Sequence, residues 1–136
     1  MDFFQLLFGF SGRINRAKYW LTAVIYLAAI LLVTGIGIAA GMAMLFILVA
    51  VIIYIPILIS GIAVGIKRLH DRDKSGWWLL VFYVLPGVLS GLAEKTGPYF
   101  VLELAGAALS IWGFVELGCL RGTSGPNRFG PDPLAA

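Results

Sequence analysis

The chain has 136 residues, 60% of them hydrophobic and 12% charged, with a net charge of +3 and a mean hydropathy of +0.96. A soluble domain carries about twice that share of charge, and one this short cannot bury so much apolar surface. Composition therefore excludes an ordinary soluble domain, gives nucleic-acid binding no support and points to lipid.

The chain opens on Phe3, Phe4, Leu6, Leu7, Phe8 and Phe10, interrupted by Gln5. Such a segment either lies in the membrane interface as a short amphipathic helix or packs against the rest of the protein. Next comes Ser11-Gly12-Arg13-Ile14-Asn15-Arg16-Ala17-Lys18-Tyr19-Trp20. Ser11 is a candidate N-cap. Arg13 and Arg16 share a helical face, and Arg16 is placed for a cation–π contact with Trp20.

No charged residue stands between Lys18 and Lys67. A spanning helix needs about 20 apolar residues, so this stretch holds two, predicted at 19–40 and 43–66, with the break in the glycine-dense 34–41. The run is too long for the core of a cleavable signal peptide. It lacks the polar–apolar alternation of a barrel strand. The loop 67–76 carries Lys67, Arg68, His70, Asp71, Arg72, Asp73 and Lys74. Helical spacing lets Lys67 and Arg68 reach Asp71, and Ser75 is placed to cap the next helix. A third span is predicted at 77–93 and a fourth at 99–120, the latter holding Glu103 and Glu116. Three spans, with 77–93 re-entrant or interfacial, is the rival topology.

Four spans put Arg13, Arg16, Lys18, Lys67, Arg68, Arg72, Lys74, Arg121 and Arg128 on one side and Lys95 alone on the other. Lys and Arg concentrate on the cytoplasmic side, so both termini are expected there. Tyr19, Trp20, Trp77 and Trp78 fall at the same boundary, where amphipathic rings prefer to lie. The expected fold is thus an all-α membrane protein: one domain, a four-transmembrane-helix bundle, N-in and C-in, with a short N-terminal interfacial segment (1–18) and a cytoplasmic tail (121–136). Gly37 and Gly41, Gly61 and Gly65, and Gly87 and Gly91 form small-residue pairs that allow close helix approach. Pro56 and Pro86 predict kinks, freeing carbonyls one turn earlier.

The tail reads Arg121-Gly122-Thr123-Ser124-Gly125-Pro126-Asn127-Arg128-Phe129-Gly130-Pro131-Asp132-Pro133. Its glycines and prolines prescribe turns. The expectation is that it folds back, so that Arg128 or Asn127 meets Asp71 or Asp73. Glu116 is expected to pair with Arg13, Lys67 or Arg121.

These three polar segments, in this order around these spans, resemble the domain-of-unknown-function 805 family of small bacterial inner-membrane proteins. The resemblance covers roughly residues 3–133. It rests on Ser11-Gly12-Arg13 with Arg16, on Arg68-Leu69-His70-Asp71 with Ser75-Gly76-Trp77-Trp78, and on the stretch from Gly125 to Pro133. It implies a multi-span protein of the bacterial inner membrane and brings no reaction with it.

The residues themselves argue against an enzyme. His70 and Cys119 are the only His and Cys, too few alone for a usual zinc set. A phosphate-binding loop and a nucleophile elbow are both missing. The leading expectation is a non-enzymatic membrane module without cofactor or metal. It binds anionic lipid headgroups, or a membrane-protein partner, through Arg13, Arg16, Lys67, Arg68, His70 and Arg72, with Asp71, Asp73, Glu116 and Arg128 forming an ion-pair network. The alternatives are a small-solute or ion transporter or channel component acting as a homo-oligomer, and a lipid-headgroup enzyme with His70 as base.

Overall fold

A computed structural model describes residues 2–41, 43–96 and 99–135. It is helical, with no strand among the described residues. A short helix α1 (Phe3–Phe8) precedes α2 (Arg16–Ala40) and α3 (Ala43–Asp71). A π-helical turn, Leu80–Val84, runs directly into α4 (Leu85–Thr96). Helix α5 (Tyr99–Phe114) ends in a second π-helical turn, Val115–Cys119.

The local chemistry explains most boundaries. Asp2 caps α1 by accepting from the Gln5 amide. The cap of α2 is Asn15, whose side chain accepts from the Lys18 amide at 3.0 Å. Ser11, the expected cap, lies too far upstream, because Gly12 turns the chain with φ 88° before the helix begins. Gly41 ends α2 in the left-handed region at φ 61°, a conformation that costs glycine little. Pro86 lacks the amide an α-turn needs and would crowd the carbonyl four residues back. The chain meets this with the π register just ahead of it, where the Leu85 amide bonds the Leu80 carbonyl.

Three helices are long and apolar enough to cross a membrane: Arg16–Ala40, Phe46–Asp71 and Phe100–Cys119. Large apolar side chains cover their outer faces, as at Leu27, Ile38, Leu58 and Ile111. The remaining expected span is also continuously helical, over 78–96, but its last turn carries Glu94 and Lys95.

The long helices form two hairpins. Helix α2 packs along α3, joined by hydrogen bonds Thr34–Tyr54 at 2.8 Å and Tyr26–Ser60 at 2.5 Å. Helix α4 packs along α5. There a side chain at Gly113 would sit 2.8 Å from the Phe82 Cβ, and one at Gly106 would sit 3.3 Å from the Pro86 carbonyl oxygen. The expected glycine pairs contribute unevenly. Gly37 lies under the Phe46 ring and Gly65 under Leu79, whereas Gly61, Gly87 and Gly91 face open space. The two hairpins converge at one end only, around Leu69, Leu79, Phe82 and Leu117 with Tyr19, Ile66, Trp78 and Val81 packed against them.

This seam makes a contrast that can be measured. Gly113→Val should lower the unfolding temperature in detergent by the equivalent of about 1–3 kcal/mol, the usual cost of overpacking. Gly91→Val should leave it unchanged.

Candidate functional site

The convergent end is a knot of charge. Asp71 closes α3 and is 2% exposed. Its Oδ2 accepts from Arg68 Nη1 at 2.6 Å, one helical turn back. Its Oδ1 accepts from Arg13 Nε at 3.2 Å and Nη2 at 3.0 Å. Two guanidinium groups thus share one carboxylate. Gly122 makes this possible, because an added Cβ there would collide with the Asp71 carboxylate.

Each guanidinium then reaches outward to backbone. Arg68 Nε donates to the Leu117 carbonyl at 2.7 Å, and Nη2 donates to the Leu120 carbonyl. Beside them, Trp20 Nε1 donates to Gly118 at 3.0 Å, Arg16 Nη1 to Cys119 at 2.8 Å, and Arg72 Nη1 to Arg121. The carbonyls of residues 117–121 all receive side-chain donors from α2 or from the Arg68–Arg72 segment. A helix leaves its last carbonyls without intrahelical partners and concentrates partial negative charge there. Cations supply what that end lacks.

Arg13 performs the same service for the tail. Its Nη1 donates to Gly125 at 2.7 Å and Gly130 at 3.3 Å, and its Nη2 to Thr123 at 2.6 Å. Gly125 and Gly130, with φ of 74° and 136°, turn the chain so that these oxygens converge. With its bonds to Asp71, all five guanidinium N–H groups of Arg13 are in use. The tail is also stitched to the end of α3. The Thr123 amide bonds the Asp71 carbonyl at 2.8 Å. Asn127 Nδ2 donates to the His70 carbonyl at 2.9 Å. Phe129 stacks on the His70 ring at 3.9 Å between centroids, while His70 Nδ1 bonds the Gly12 carbonyl at 3.1 Å. At the surface, the Leu134 and Gly125 amides hold the Asp132 carboxyl below its ordinary pKa, with Arg13 and Arg121 adding attraction.

Several expected contacts are replaced by others. Glu116 pairs with Arg72 at 2.9 Å and Lys74 at 3.4 Å, not with Arg13, Lys67 or Arg121. Its position inside the second π turn aims it at the α3–α4 loop. Lys67, fully buried, turns away from Asp71 and donates to the Gln5 and Leu6 carbonyls at 2.7 and 2.5 Å. It thereby caps the end of α1. Arg16 takes the Cys119 carbonyl rather than the Trp20 face. Arg128 meets Asp73 at 3.2 Å, since Asp71 is enclosed beneath the tail.

For ligand binding the consequence is direct. Arg13, Lys67 and Arg68 are at most 5% exposed and hydrogen-bonded within the chain, which keeps these three candidates from the surface. Arg72 is tied to Glu116, and His70 lies between Gly12 and Phe129. Arg16 alone of the expected binding set is both exposed and largely uncommitted. Among the described residues, no group of His, Cys, Asp and Glu is arranged to hold a metal ion. No buried polar side-chain atom there lacks a partner.

The arginines, the Arg68–Asp71 segment and the tail form one unit, and they span the region matched by the model for a protein of unknown function (DUF805), residues 7–131. The chain belongs to the DUF805 family. Similar proteins in Escherichia coli K12 are the uncharacterized protein YiiR, 31% identical over 139 residues covering 94% of this chain and 88% of the relative, and the inner membrane protein YhaI, 33% identical over 127 residues covering 92% and 86%. The inner membrane protein YhaH is 28% identical over 131 residues, covering 92% and 87%. No solved structure matches the chain.

The clasp sets an order of sensitivities. Removing one partner of a buried ion pair costs about 3–5 kcal/mol, whereas an exposed pair contributes about 1 kcal/mol or less. Asp71→Ala should therefore unfold the protein at clearly lower temperature, with Gly122→Ala acting the same way through the displaced carboxylate. Arg128→Gln should change little.

Proposed function

We propose that this DUF805 protein is a four-span membrane module, with both termini cytoplasmic, that acts by binding rather than by catalysis. Its cytoplasmic face would engage anionic lipid or a membrane-protein partner. Four features support the topology. Helix 78–96 starts at the clasp and extends about 28 Å at 1.5 Å per residue, close to the thickness of a hydrocarbon core. It pairs along α5, which spans by length and composition. The clasp gathers Arg13, Arg16, Lys67, Arg68, Arg72, Lys74 and Arg128 at one end, while Lys95 lies in the last turn of α4. Such clustering marks a cytoplasmic surface.

One observation carries the binding reading. The buried cations Arg13, Lys67 and Arg68 are bonded inside the clasp, whereas at its rim, among the described residues, Lys18 and Arg121 make no ion pair and Arg16 bonds a single carbonyl. Half-exposed Trp20, one helical turn from Arg16, stands at that rim, as aromatic side chains do at headgroup depth. Juxtamembrane cations attract anionic lipid by about 1 kcal/mol each. A catalytic reading gains no such support, since His70 is held between the Gly12 carbonyl and the Phe129 ring.

Two measurements test this. A cysteine at Lys95 should be labelled by an impermeant thiol reagent from outside intact cells, and one at Leu134 only after lysis. The reverse pattern would invert the topology. In nanodiscs of mixed phosphatidylglycerol and phosphatidylcholine, native mass spectrometry should show preferential retention of phosphatidylglycerol. Retention in proportion to the mixture would contradict lipid engagement.

A further inference from the structure

The rim is not uniform. At one point it combines unused positive charge, an aromatic ledge and a gap between helices. Arg16 uses one of its five N–H groups, on the Cys119 carbonyl. Two residues beyond Cys119, Arg121 is exposed, and among the described residues its side chain makes no hydrogen bond or ion pair. The carboxylates nearby are committed elsewhere. Glu116 faces Arg72 and Lys74. Asp132 accepts the Gly125 and Leu134 amides and attracts Arg121 only at longer range.

One helical turn on from Arg16, Trp20 of α2 meets Phe114 of α5 edge to face at 5.9 Å. Both rings remain largely open, at 42% and 58% exposure. The Trp20 indole N–H is fixed on the Gly118 carbonyl, so the ring is held in place and its apolar body faces outward. Helix α2 approaches the second π turn closely but does not go on to pack along α5. Leu21, Val24 and Leu27 of α2 stay exposed below, as do Ile111 and Phe114 of α5. A notch with apolar walls therefore opens below this contact, with Arg16 at its top and Arg121 two residues beyond the Cys119 carbonyl that Arg16 binds.

This pattern matches the two ends of one kind of molecule. A phosphodiester suits a pair of guanidinium groups, which bind it through directed, charge-assisted hydrogen bonds. Acyl chains suit the ledge and the walls. We propose that the notch between α2 and the turn Val115–Cys119 is a seat for a single anionic phospholipid, its phosphate between Arg16 and Arg121 and its acyl chains passing over Trp20 and Phe114. The seat rests on the lipid-engaging reading above and narrows it to one place. It also gives the parted hairpins a filler at the point where protein packing stops.

Full-length protein in nanodiscs of phosphatidylglycerol and phosphatidylcholine provides the test, read by native mass spectrometry. Arg121→Gln is the first variant, because among the described residues that side chain makes no hydrogen bond or ion pair. It should cut phosphatidylglycerol retention about fivefold, the factor expected for one juxtamembrane cation, and Arg16→Gln should act similarly. Arg128→Gln, at the same surface, and Lys95→Gln, at the far end of α4, should leave retention at the wild-type level. Unchanged retention in Arg121→Gln, with wild type still preferring phosphatidylglycerol, would overturn the seat while leaving general lipid engagement standing. An equal loss in Arg128→Gln would overturn it too, by showing a diffuse surface effect. No preference in wild type would remove both readings.

Discussion

The structure depends on how one helix end is terminated. The carbonyls of residues 117–121 point toward α2 and the end of α3, and Arg68, Trp20, Arg16 and Arg72 donate to them. In lipid, backbone groups without partners cost several kcal/mol each. A helix ending at the membrane surface beside another hairpin must be capped by water or by its neighbour. Here the neighbour does it, and in doing so joins the two hairpins. The second π turn belongs to this arrangement, since it closes with the Leu120 amide on the Val115 carbonyl and leaves the following oxygens for the arginines.

Asp71 turns this docking into a single unit. Arg68 binds the end of α5 and Arg13 binds the tail, and the same carboxylate fixes both. Burying this much charge is costly unless pairing and hydrogen bonding are complete. The exits are closed accordingly, with every donor of Arg13 in use and a glycine at position 122 to admit the carboxylate. The same logic separates the clasp from the rim. Buried cations serve the fold, while Arg16 and Arg121 stay exposed at its surface.

Much of this was legible in the sequence. The uncharged stretch from Tyr19 to Ile66 holds two of the spanning helices, and residues 99–120 closely match a third. Fold-back of the tail was readable from its turn residues, and the tail does carry Arg128 to Asp73. The identity of most partners was not readable, because the main acceptors are backbone carbonyls, which leave no trace in residue type. Thus helical spacing points Lys67 to Asp71 and Arg16 to Trp20, yet they bind the carbonyls of residues 5, 6 and 119. A helix start could be placed only by seeing how Gly12 turns, which moves the cap from Ser11 to Asn15. Glycine spacing misled as well. Gly87 and Gly91 form the better pattern, but Gly106 and Gly113 form the seam, since rotation about the helix axis is set by Pro86 and the adjoining π turn. Only the capping geometry separates Arg16 and Arg121 from the buried arginines.

The claim that the clasp holds the two hairpins together can be tested by distance. Spin labels on α2 and α5, at Ala28 and Ala108, would report the separation between hairpins in a bilayer by double electron–electron resonance. Wild type should give one narrow distribution, and Arg68→Gln a broad one shifted to longer distance, because the α5 carbonyls and Asp71 lose their shared donor. A distribution in Arg68→Gln identical to wild type would contradict the clasp as the joint.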